Sequence, residues 1–298
     1  MRLFAAVATV VATGVFLPPA RSNAVARVPV VIIVMENHGY SQIVGNASEA
    51  PYINCAGRFA GTGLICNGKL YTQYKGLFHP SLPNYLAMTS GSNDGCTDAG
   101  CDPASIQARD LFTQLSTSGF TWSAFQESMR RNCERTDDTN SLYVAHHNPP
   151  VYYANLAGTR RCGRLDVPYW HMDPAALPDL SFVTPNMCDD MHGETGADCY
   201  QHFPNCPSIV CVGDGWLSRT IPRLRAAGAD VVVTFDETDP SAPAGGQVFA
   251  VQLGPGVPGG STDPQGYDHY SLLRGVEAYF GLKCLQRSCA APALPIGS

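Results

Sequence analysis

The stretch Val28-Pro29-Val30-Val31-Ile32-Ile33-Val34-Met35 is an apolar run that ends at the polar pair Glu36-Asn37. A run rich in Val and Ile, without alternation, is typical of a strand covered on both faces in a parallel sheet. Three similar runs follow, and helical patterns separate them, which predicts an α/β fold: a three-layer sandwich with a mostly parallel central sheet. Asp214 precedes one predicted helix and is expected to be its N-cap. The predicted strands are Val28–Met35, Thr121–Phe125, Leu180–Thr184 and Asp230–Phe235, and the predicted helices are Ala104–Ser118, Trp216–Ala227 and Ser271–Phe280.

The size and charge of the chain limit its organisation and its partners. Its 298 residues are 45% hydrophobic, which is enough for one large core, and no linker divides them. We therefore expect a single domain over residues 27–298. Charged residues make up 15% of the chain and the net charge is −6. Because no basic block is present to follow a phosphate backbone, we expect no nucleic-acid partner.

Residues 1–26 have the pattern of a secretory signal peptide. Arg2 provides a positive start, Leu3–Leu17 is apolar apart from two threonines, and Ala24-Val25-Ala26 offers small residues for cleavage. The apolar run is too short to span a bilayer, and no second run approaches that length. We expect a secreted or periplasmic protein without a stable membrane anchor.

Twelve cysteines agree with export. An even number of cysteines in an exported chain indicates disulfides, although twelve cysteines allow very many connectivities. A zinc knuckle is the alternative interpretation, but the chain has no C-x2-C pair to support it. Pairing by neighbours predicts the bridges Cys55–Cys66, Cys96–Cys101, Cys133–Cys162, Cys188–Cys199, Cys206–Cys211 and Cys284–Cys289.

The segment Phe78-His79-Pro80-Ser81-Leu82-Pro83-Asn84-Tyr85 places Ser81 between two prolines, just before an apolar run that predicts a short helix. Ser81 is therefore expected at a helix N-terminus, where free N–H groups and the helix dipole favour negative charge. A serine at such a position either caps the helix or attacks a phosphate. Acidic pairs elsewhere in the chain favour the second interpretation.

Polar groups follow three of the four predicted strands. Glu36-Asn37 follow the first strand, Asp190 and His192 come shortly after the third, and Asp236-Glu237 follow the fourth. Because ligands gather at the carboxyl ends of parallel strands, we expect these groups to lie near Ser81. Their oxygen atoms favour Mg²⁺, Ca²⁺ or Mn²⁺ over Zn²⁺. The predicted metal ligands are Glu36, Asn37, Ser81, Asp236 and Glu237.

Taken in order, these segments resemble the secreted phosphoesterase family that holds bacterial acid phosphatases and non-specific phospholipases C. That family is a branch of the alkaline-phosphatase-like superfamily. The resemblance covers nearly all of the mature chain, and the length is similar to that of the short secreted acid phosphatases. The matching segments are Val34–His38, His79–Tyr85, Tyr143 with His147–Pro149, Ser181–Asn186 with Asp190–His192, Gly213–Leu217, Thr234–Glu237 and Asp268–Tyr270.

The resemblance implies an alkaline-phosphatase-like fold and roles for individual residues. Ser81 would be the nucleophile that becomes phosphorylated. His79, two residues before it, would contact the surrounding side chains rather than the phosphate or the metal. The two-zinc branch of the superfamily has Asp-His where this chain has Asp236-Glu237, which favours a single hard cation. The residues implied around the phosphate, as hydrogen-bond donors or proton-transfer groups, are His147, His192 and His269, with Asp190 as their partner.

Together these features predict a secreted metal-dependent phosphatase that hydrolyses phosphate monoesters through a phosphoserine. Its substrates would be small phosphorylated molecules, with phosphoinositides and phospholipid headgroups among the candidates. The alternative is a phospholipase C, which shares the chemistry and differs in the leaving group. A serine hydrolase lacks support because no G-x-S-x-G motif is present. A disulfide-stapled binding protein would not need the acidic pairs.

Overall fold

A computed structural model describes residues 27–96, 100–137, 142–193 and 198–297. The predicted signal peptide, residues 1–26, lies outside the described residues. The strands are β1 (Val30–Met35), β2 (Lys69–Tyr71), β3 (Tyr74–Lys75), β4 (Trp122–Gln126), β5 (Asp166–Pro168), β6 (Leu180–Thr184), β7 (Asp230–Phe235), β8 (Ala250–Leu253), β9 (Ser261–Asp263) and β10 (Tyr267–Asp268). The α-helices are α1 (Tyr40–Ile43), α2 (Leu64–Asn67), α3 (Ser81–Ser90), α4 (Leu111–Thr117), α5 (Cys162–Leu165), α6 (Ile209–Ala226) and α7 (His269–Phe280).

An eight-stranded sheet with the order β5-β4-β6-β1-β7-β8-β2-β9 forms the centre of the molecule. Strands β5, β4, β6, β1 and β7 pair in parallel, as do β2 and β9. Strand β8 is antiparallel to both of its neighbours. A separate small sheet pairs β3 with β10. The prediction of a mostly parallel sheet is confirmed.

Both faces of this sheet are covered. Every residue of β1, β6 and β7 is buried, which explains why their sequences are mostly apolar and lack a regular polar alternation. Helices α3, α4 and α7 pack as one group, and α6 packs on β7. In the first group, Phe112 of α4 lies against Trp122 of β4 with ring centroids 4.8 Å apart. The α/β sandwich prediction is therefore confirmed.

The helix predicted over Ala104–Ser118 is wrong in its first half. Helix α4 begins only at Leu111, where the Asp110 carboxylate caps it by accepting from the Thr113 N–H at 2.7 Å. Ala104 has φ +65°, in the left-handed region that a right-handed helix excludes. The four predicted strands and the C-terminal helix have nearly the predicted bounds.

Helix α6 begins at Ile209, earlier than predicted, because Ser208 caps it. The prediction of Asp214 as an N-cap is therefore wrong, since this residue lies inside the helix. Its carboxylate accepts from the backbone N–H groups of Tyr52 at 2.9 Å and Ile53 at 2.8 Å. Asp214 thus joins α6 to a loop that is distant in the sequence.

All six predicted disulfides are confirmed, and no cysteine is free. The zinc-knuckle alternative is thereby excluded. Each bridge joins cysteines 5 to 29 residues apart, so the bridges close local loops and leave the packing of distant elements to the core. Among the helices of the described residues, none combines the length and hydropathy that crossing a membrane requires.

The contact of Asp214 gives a prediction about stability. Asp214→Ala should lower the free energy of unfolding by about 2–4 kcal/mol, because two buried N–H groups lose their acceptor. Asp214→Asn keeps one acceptor oxygen but places its amide NH2 against the other N–H group, so it should recover at most about half of the loss. Urea unfolding measures both changes. Asp173→Asn, an exposed carboxylate elsewhere, is the control and should stay within about 0.5 kcal/mol of wild type. An equally small change for Asp214→Ala would contradict the prediction.

Candidate active site

The register of the central strands brings the polar strand ends together. Met35 of β1 pairs with Phe235 of β7, so the next residues, Glu36 and Asp236, emerge side by side. The Asp236 N–H donates to the Met35 carbonyl at 2.9 Å, and the Glu36 N–H donates to the Asp190 carbonyl at 2.8 Å. Residues that follow three different strands therefore meet at one edge of the sheet, as the sequence predicted.

Three carboxylates crowd together at this edge. Glu36, Asp236 and Glu237 are buried, and each contributes an oxygen to a group whose members all lie within 4.8 Å of one another. Across the described residues, the basic side chains that contact this cluster are the histidines His147 and His79, and no lysine or arginine takes part. The cluster has an uncompensated negative charge whenever its members are ionised.

Ser81 faces this carboxylate cluster. It is the first residue of α3, with Pro80 as the N-cap, so its prediction at a helix N-terminus is confirmed. Its Oγ donates to Glu36 Oε2 at 3.0 Å and to Glu237 Oε1 at 3.1 Å. Asn84, further along α3, accepts from the backbone N–H groups of residues 77 and 78 at 3.0 and 2.9 Å, which fixes the loop before Ser81.

Asn37 is the last of the predicted oxygen ligands for a metal ion. Its φ of +56° lies in the left-handed region that Asn tolerates better than most residues. Its N–H donates to Asp236 Oδ1 at 3.3 Å. Within the described part of the chain, Asn37 Oδ1 and Asp236 Oδ2 are buried without a hydrogen-bond partner. Buried oxygens without donors, beside crowded carboxylates, fit a site for a hard divalent cation.

Burial and mutual repulsion change the acidity of the cluster. Burial, together with the charges of Asp236 and Asp190, raises the pKa of Glu36 well above its usual range. Burial and the charge of Glu237 raise the pKa of Asp236 to about 8, and burial raises the pKa of Glu237 to about 7. A positive charge among these groups would have the opposite effect.

The predicted residues His147, Asp190 and His192 also lie together. His147 is buried, with Nε2 3.3 Å from Glu36 Oε1 and Nδ1 3.5 Å from Asp190 Oδ2. Burial lowers the pKa of His147 well below its usual value. The exposed His192 lies with its ring 6.1 Å from that of His147, and its backbone N–H donates to Asp190 Oδ1 at 2.7 Å.

Two other histidines contact residues of the carboxylate cluster. His269 is buried, and its ring nitrogens pair with the Asp236 carbonyl and with the Tyr74 hydroxyl, the latter at 3.1 Å. Burial lowers the pKa of His269 to about 4. The proton-transfer role of His269 stays a prediction. In the structure, its ring contacts the backbone carbonyl of Asp236. His79 pairs through Nδ1 with Glu237 Oε2.

Two residues at the site are not among the predicted catalytic residues or metal ligands. Tyr85, in the Ser81 segment, donates its hydroxyl to Glu36 Oε1 at 2.6 Å, and the available signal was its position one helical turn after Ser81. Glu127, after β4, accepts from the Asn186 N–H at 3.1 Å and from the Trp216 indole at 3.2 Å. It thereby holds the loop that continues to Asp190, and no local pattern indicates this contact.

Comparison with known proteins agrees with this geometry. The phosphoesterase family matches residues 63–283. Phosphatidylinositol-3-phosphatase of Mycobacterium tuberculosis is 30% identical over 273 residues, covering 89% of this chain and 81% of that protein. A probable acid phosphatase of Kluyveromyces lactis and an acid phosphatase of Aspergillus fumigatus are each 28% identical, covering 86% and 78% of this chain. The chain spans 59% and 53% of the length of these two fungal relatives.

Solved structures share the fold at low sequence identity. An alkaline phosphatase superfamily protein of Vibrio parahaemolyticus has a TM-score of 0.54 at 10% identity, covering 89% of this chain and 70% of that one. Murine ectonucleotide pyrophosphatase/phosphodiesterase 5 has a TM-score of 0.51 at 10% identity, covering 87% and 96%. The predicted alkaline-phosphatase-like fold is confirmed. Because the family match spans most of the chain and the curated relatives are phosphatases, the resemblance seen in the sequence holds: this chain belongs to the phosphoesterase family and is a phosphoric ester hydrolase.

Proposed function

We propose that the chain is a secreted, metal-dependent phosphomonoesterase that works through a phosphoserine at Ser81. The observation that carries the proposal is the pair of contacts from Ser81 Oγ to Glu36, at 3.0 Å, and to Glu237, at 3.1 Å. The hydroxyl lies at the N-terminus of α3, where backbone N–H groups favour a phosphate. Nucleophile and anion site therefore coincide.

The oxygens of Glu36, Asn37, Ser81, Asp236 and Glu237 would hold the divalent cation. When bound, the cation neutralises phosphate charge and makes a nearby hydroxyl more acidic. The support is the two buried oxygens without donors and the absence of lysine and arginine from the ion pairs of the described cluster. A donor set made of oxygens alone favours Mg²⁺, Ca²⁺ or Mn²⁺ over Zn²⁺.

In the first step, Ser81 Oγ attacks phosphorus as the bond to the leaving alcohol breaks. The Ser81 hydroxyl lies within hydrogen-bond distance of Glu36 and Glu237, and one of these carboxylates accepts its proton as the Oγ–P bond forms. His192 donates a proton to the departing oxygen, since it is exposed beside His147 while both ring nitrogens of His269 have protein partners.

In the second step, water attacks the phosphoserine and gives its proton to His192 as the Oγ–P bond breaks. Ser81 Oγ takes back the proton held by the carboxylate, and inorganic phosphate leaves. His147, between Glu36 and Asp190, would orient a phosphate oxygen in both steps. The hydrolysis is thereby divided into two displacements. Because α3 holds the serine in position, the barrier to its attack on phosphorus is lowered.

The substrate would be a small phosphate monoester, and phosphoinositide monophosphates are one candidate class. That class is supported by similarity to a phosphatidylinositol-3-phosphatase, and wider specificity by similarity to acid phosphatases. Secretion is supported by the six disulfides, which persist in oxidising surroundings, and by the signal pattern of residues 1–26.

Removing the nucleophile tests the proposal directly. Ser81→Ala should lower kcat on p-nitrophenyl phosphate by about 10³-fold or more while the protein remains folded. Release of inorganic phosphate measures the activity, and release of phosphocholine from a phospholipid tests the phospholipase alternative. Ser90→Ala, at the other end of α3, is the matched control and should keep its activity. Near-normal turnover by Ser81→Ala would refute the phosphoserine.

The crowded carboxylates predict opposite effects of pH and metal on stability. Asp236, with a pKa of about 8, and Glu237, with a pKa of about 7, bind protons in the folded protein that the unfolded chain has released above about pH 4–5. The contribution of these two groups to the stability of the metal-free protein is therefore largest below about pH 4 and is lost as pH rises to about 8. Because a bound cation replaces these protons, its stabilising effect should increase over the same range.

Thermal unfolding after chelation, with and without added Mg²⁺, Ca²⁺, Mn²⁺ or Zn²⁺, measures this effect. At a fixed concentration of about a hundred times its Kd at pH 8, the favoured cation should raise the Tm by roughly 5–10 °C at about pH 8 and by less at about pH 5. Glu237→Gln should reduce the gain, whereas the exposed control Asp173→Asn should not. Equal gains at both pH values would contradict the assignment.

The role of His192 predicts a dependence on the leaving group. His192→Ala should lower kcat/KM for an alkyl phosphate such as glycerol 2-phosphate by about 10²-fold or more. The loss should be smaller for p-nitrophenyl phosphate, because nitrophenolate leaves without a proton. His202→Ala, another exposed histidine, should leave both values unchanged. Equal losses on both esters would show that His192 does not supply this proton.

A further inference from the structure

Two donors from one face of α3 hold the two oxygens of a single carboxylate. Tyr85 lies four residues after Ser81, so both side chains point from the same side of the helix. The Tyr85 hydroxyl donates to Glu36 Oε1 at 2.6 Å, and Ser81 Oγ donates to Glu36 Oε2 at 3.0 Å. The phenol thereby determines which oxygen of Glu36 remains facing Ser81.

The ring of Tyr85 also contacts the histidine of the site. It stacks on His147 with centroids 5.3 Å apart and an interplanar angle of 16°. On β6, Phe182 packs against the same ring at 6.3 Å. Since Tyr85 has no exposed surface, these contacts hold the ring in one place. His147, itself 3.3 Å from Glu36 Oε1, is thus positioned by the same side chain.

From these contacts we propose that Tyr85 is a positioning residue that orients Glu36 and His147 for cation binding and phosphoryl transfer. The proposal rests on the function assigned to Ser81 above. A carboxylate with one oxygen held by a strong donor presents the other in a defined direction, and such support commonly changes metal affinity or activity by about 10- to 100-fold. Without the hydroxyl, Glu36 could rotate away from Ser81.

A purely structural role for Tyr85 is the competing explanation, and the chain offers a matched control for it. Tyr153 is also fully buried, and its hydroxyl pairs with Thr89 Oγ1 at 2.6 Å near the far end of α3. Removing either hydroxyl removes one short buried hydrogen bond that involves α3 or a residue next to it. The Tyr85 hydroxyl contacts Glu36 of the carboxylate cluster, whereas the Tyr153 hydroxyl contacts Thr89, which is not part of that cluster.

The experiment compares Tyr85→Phe with Tyr153→Phe. Isothermal titration of metal-depleted protein with Mn²⁺ should show affinity about 10- to 100-fold weaker for Tyr85→Phe and unchanged for Tyr153→Phe. On p-nitrophenyl phosphate, kcat of Tyr85→Phe should fall by a similar factor with little change in KM. Both variants should lose some thermal stability.

The outcomes separate this proposal from the function on which it rests. Wild-type Mn²⁺ affinity and wild-type kcat in Tyr85→Phe would overturn the positioning role and leave the phosphoserine mechanism intact. If the wild-type protein binds none of Mn²⁺, Mg²⁺ or Ca²⁺ and works in the presence of a chelator, the proposed metal site fails, and the role of Tyr85 fails with it.

Discussion

The parallel pairing of β1 with β7 is the constraint on which the site depends. Because Met35 lies opposite Phe235, both strands end at the same level and deliver Glu36 and Asp236 to one point. A slip of one residue would turn every side chain of a strand to the other face and separate the carboxylates. Both six-residue strands are buried throughout, and their packing on both faces prevents such a slip.

Bringing carboxylates together in this way is electrostatically unfavourable, and the molecule tolerates it at the edge of a rigid sheet. Burial and mutual repulsion raise the pKa values of Glu36 and Asp236, so the cluster strongly favours the binding of a proton or a cation. Ser81 lies between this cluster and the N-terminus of α3. The carboxylates there would attract a cation, and the cation and the helix N-terminus would together attract a phosphate.

Two tyrosine–histidine pairs support this cluster from inside the protein. Tyr85 contacts Glu36 through its hydroxyl and His147 through its ring. On the other side, the Tyr74 hydroxyl binds His269, which in turn holds the backbone carbonyl of Asp236. The carboxylates are therefore held by buried neutral side chains, which orient them without cancelling their charge.

The sequence by itself determined the features that depend on local pattern: the buried strands, the disulfides between neighbouring cysteines and the placement of Ser81 at a helix N-terminus. Strand ends also indicated which carboxylates would meet, because parallel strands share one edge. Tertiary structure decided what depends on distant partners. The antiparallel pairing of β8 with β7, the contact of Asp214 with the loop at Tyr52 and the contact of Tyr85 with Glu36 join residues that are 16 to 162 positions apart. No local propensity encodes such contacts, since they form only when the core packs.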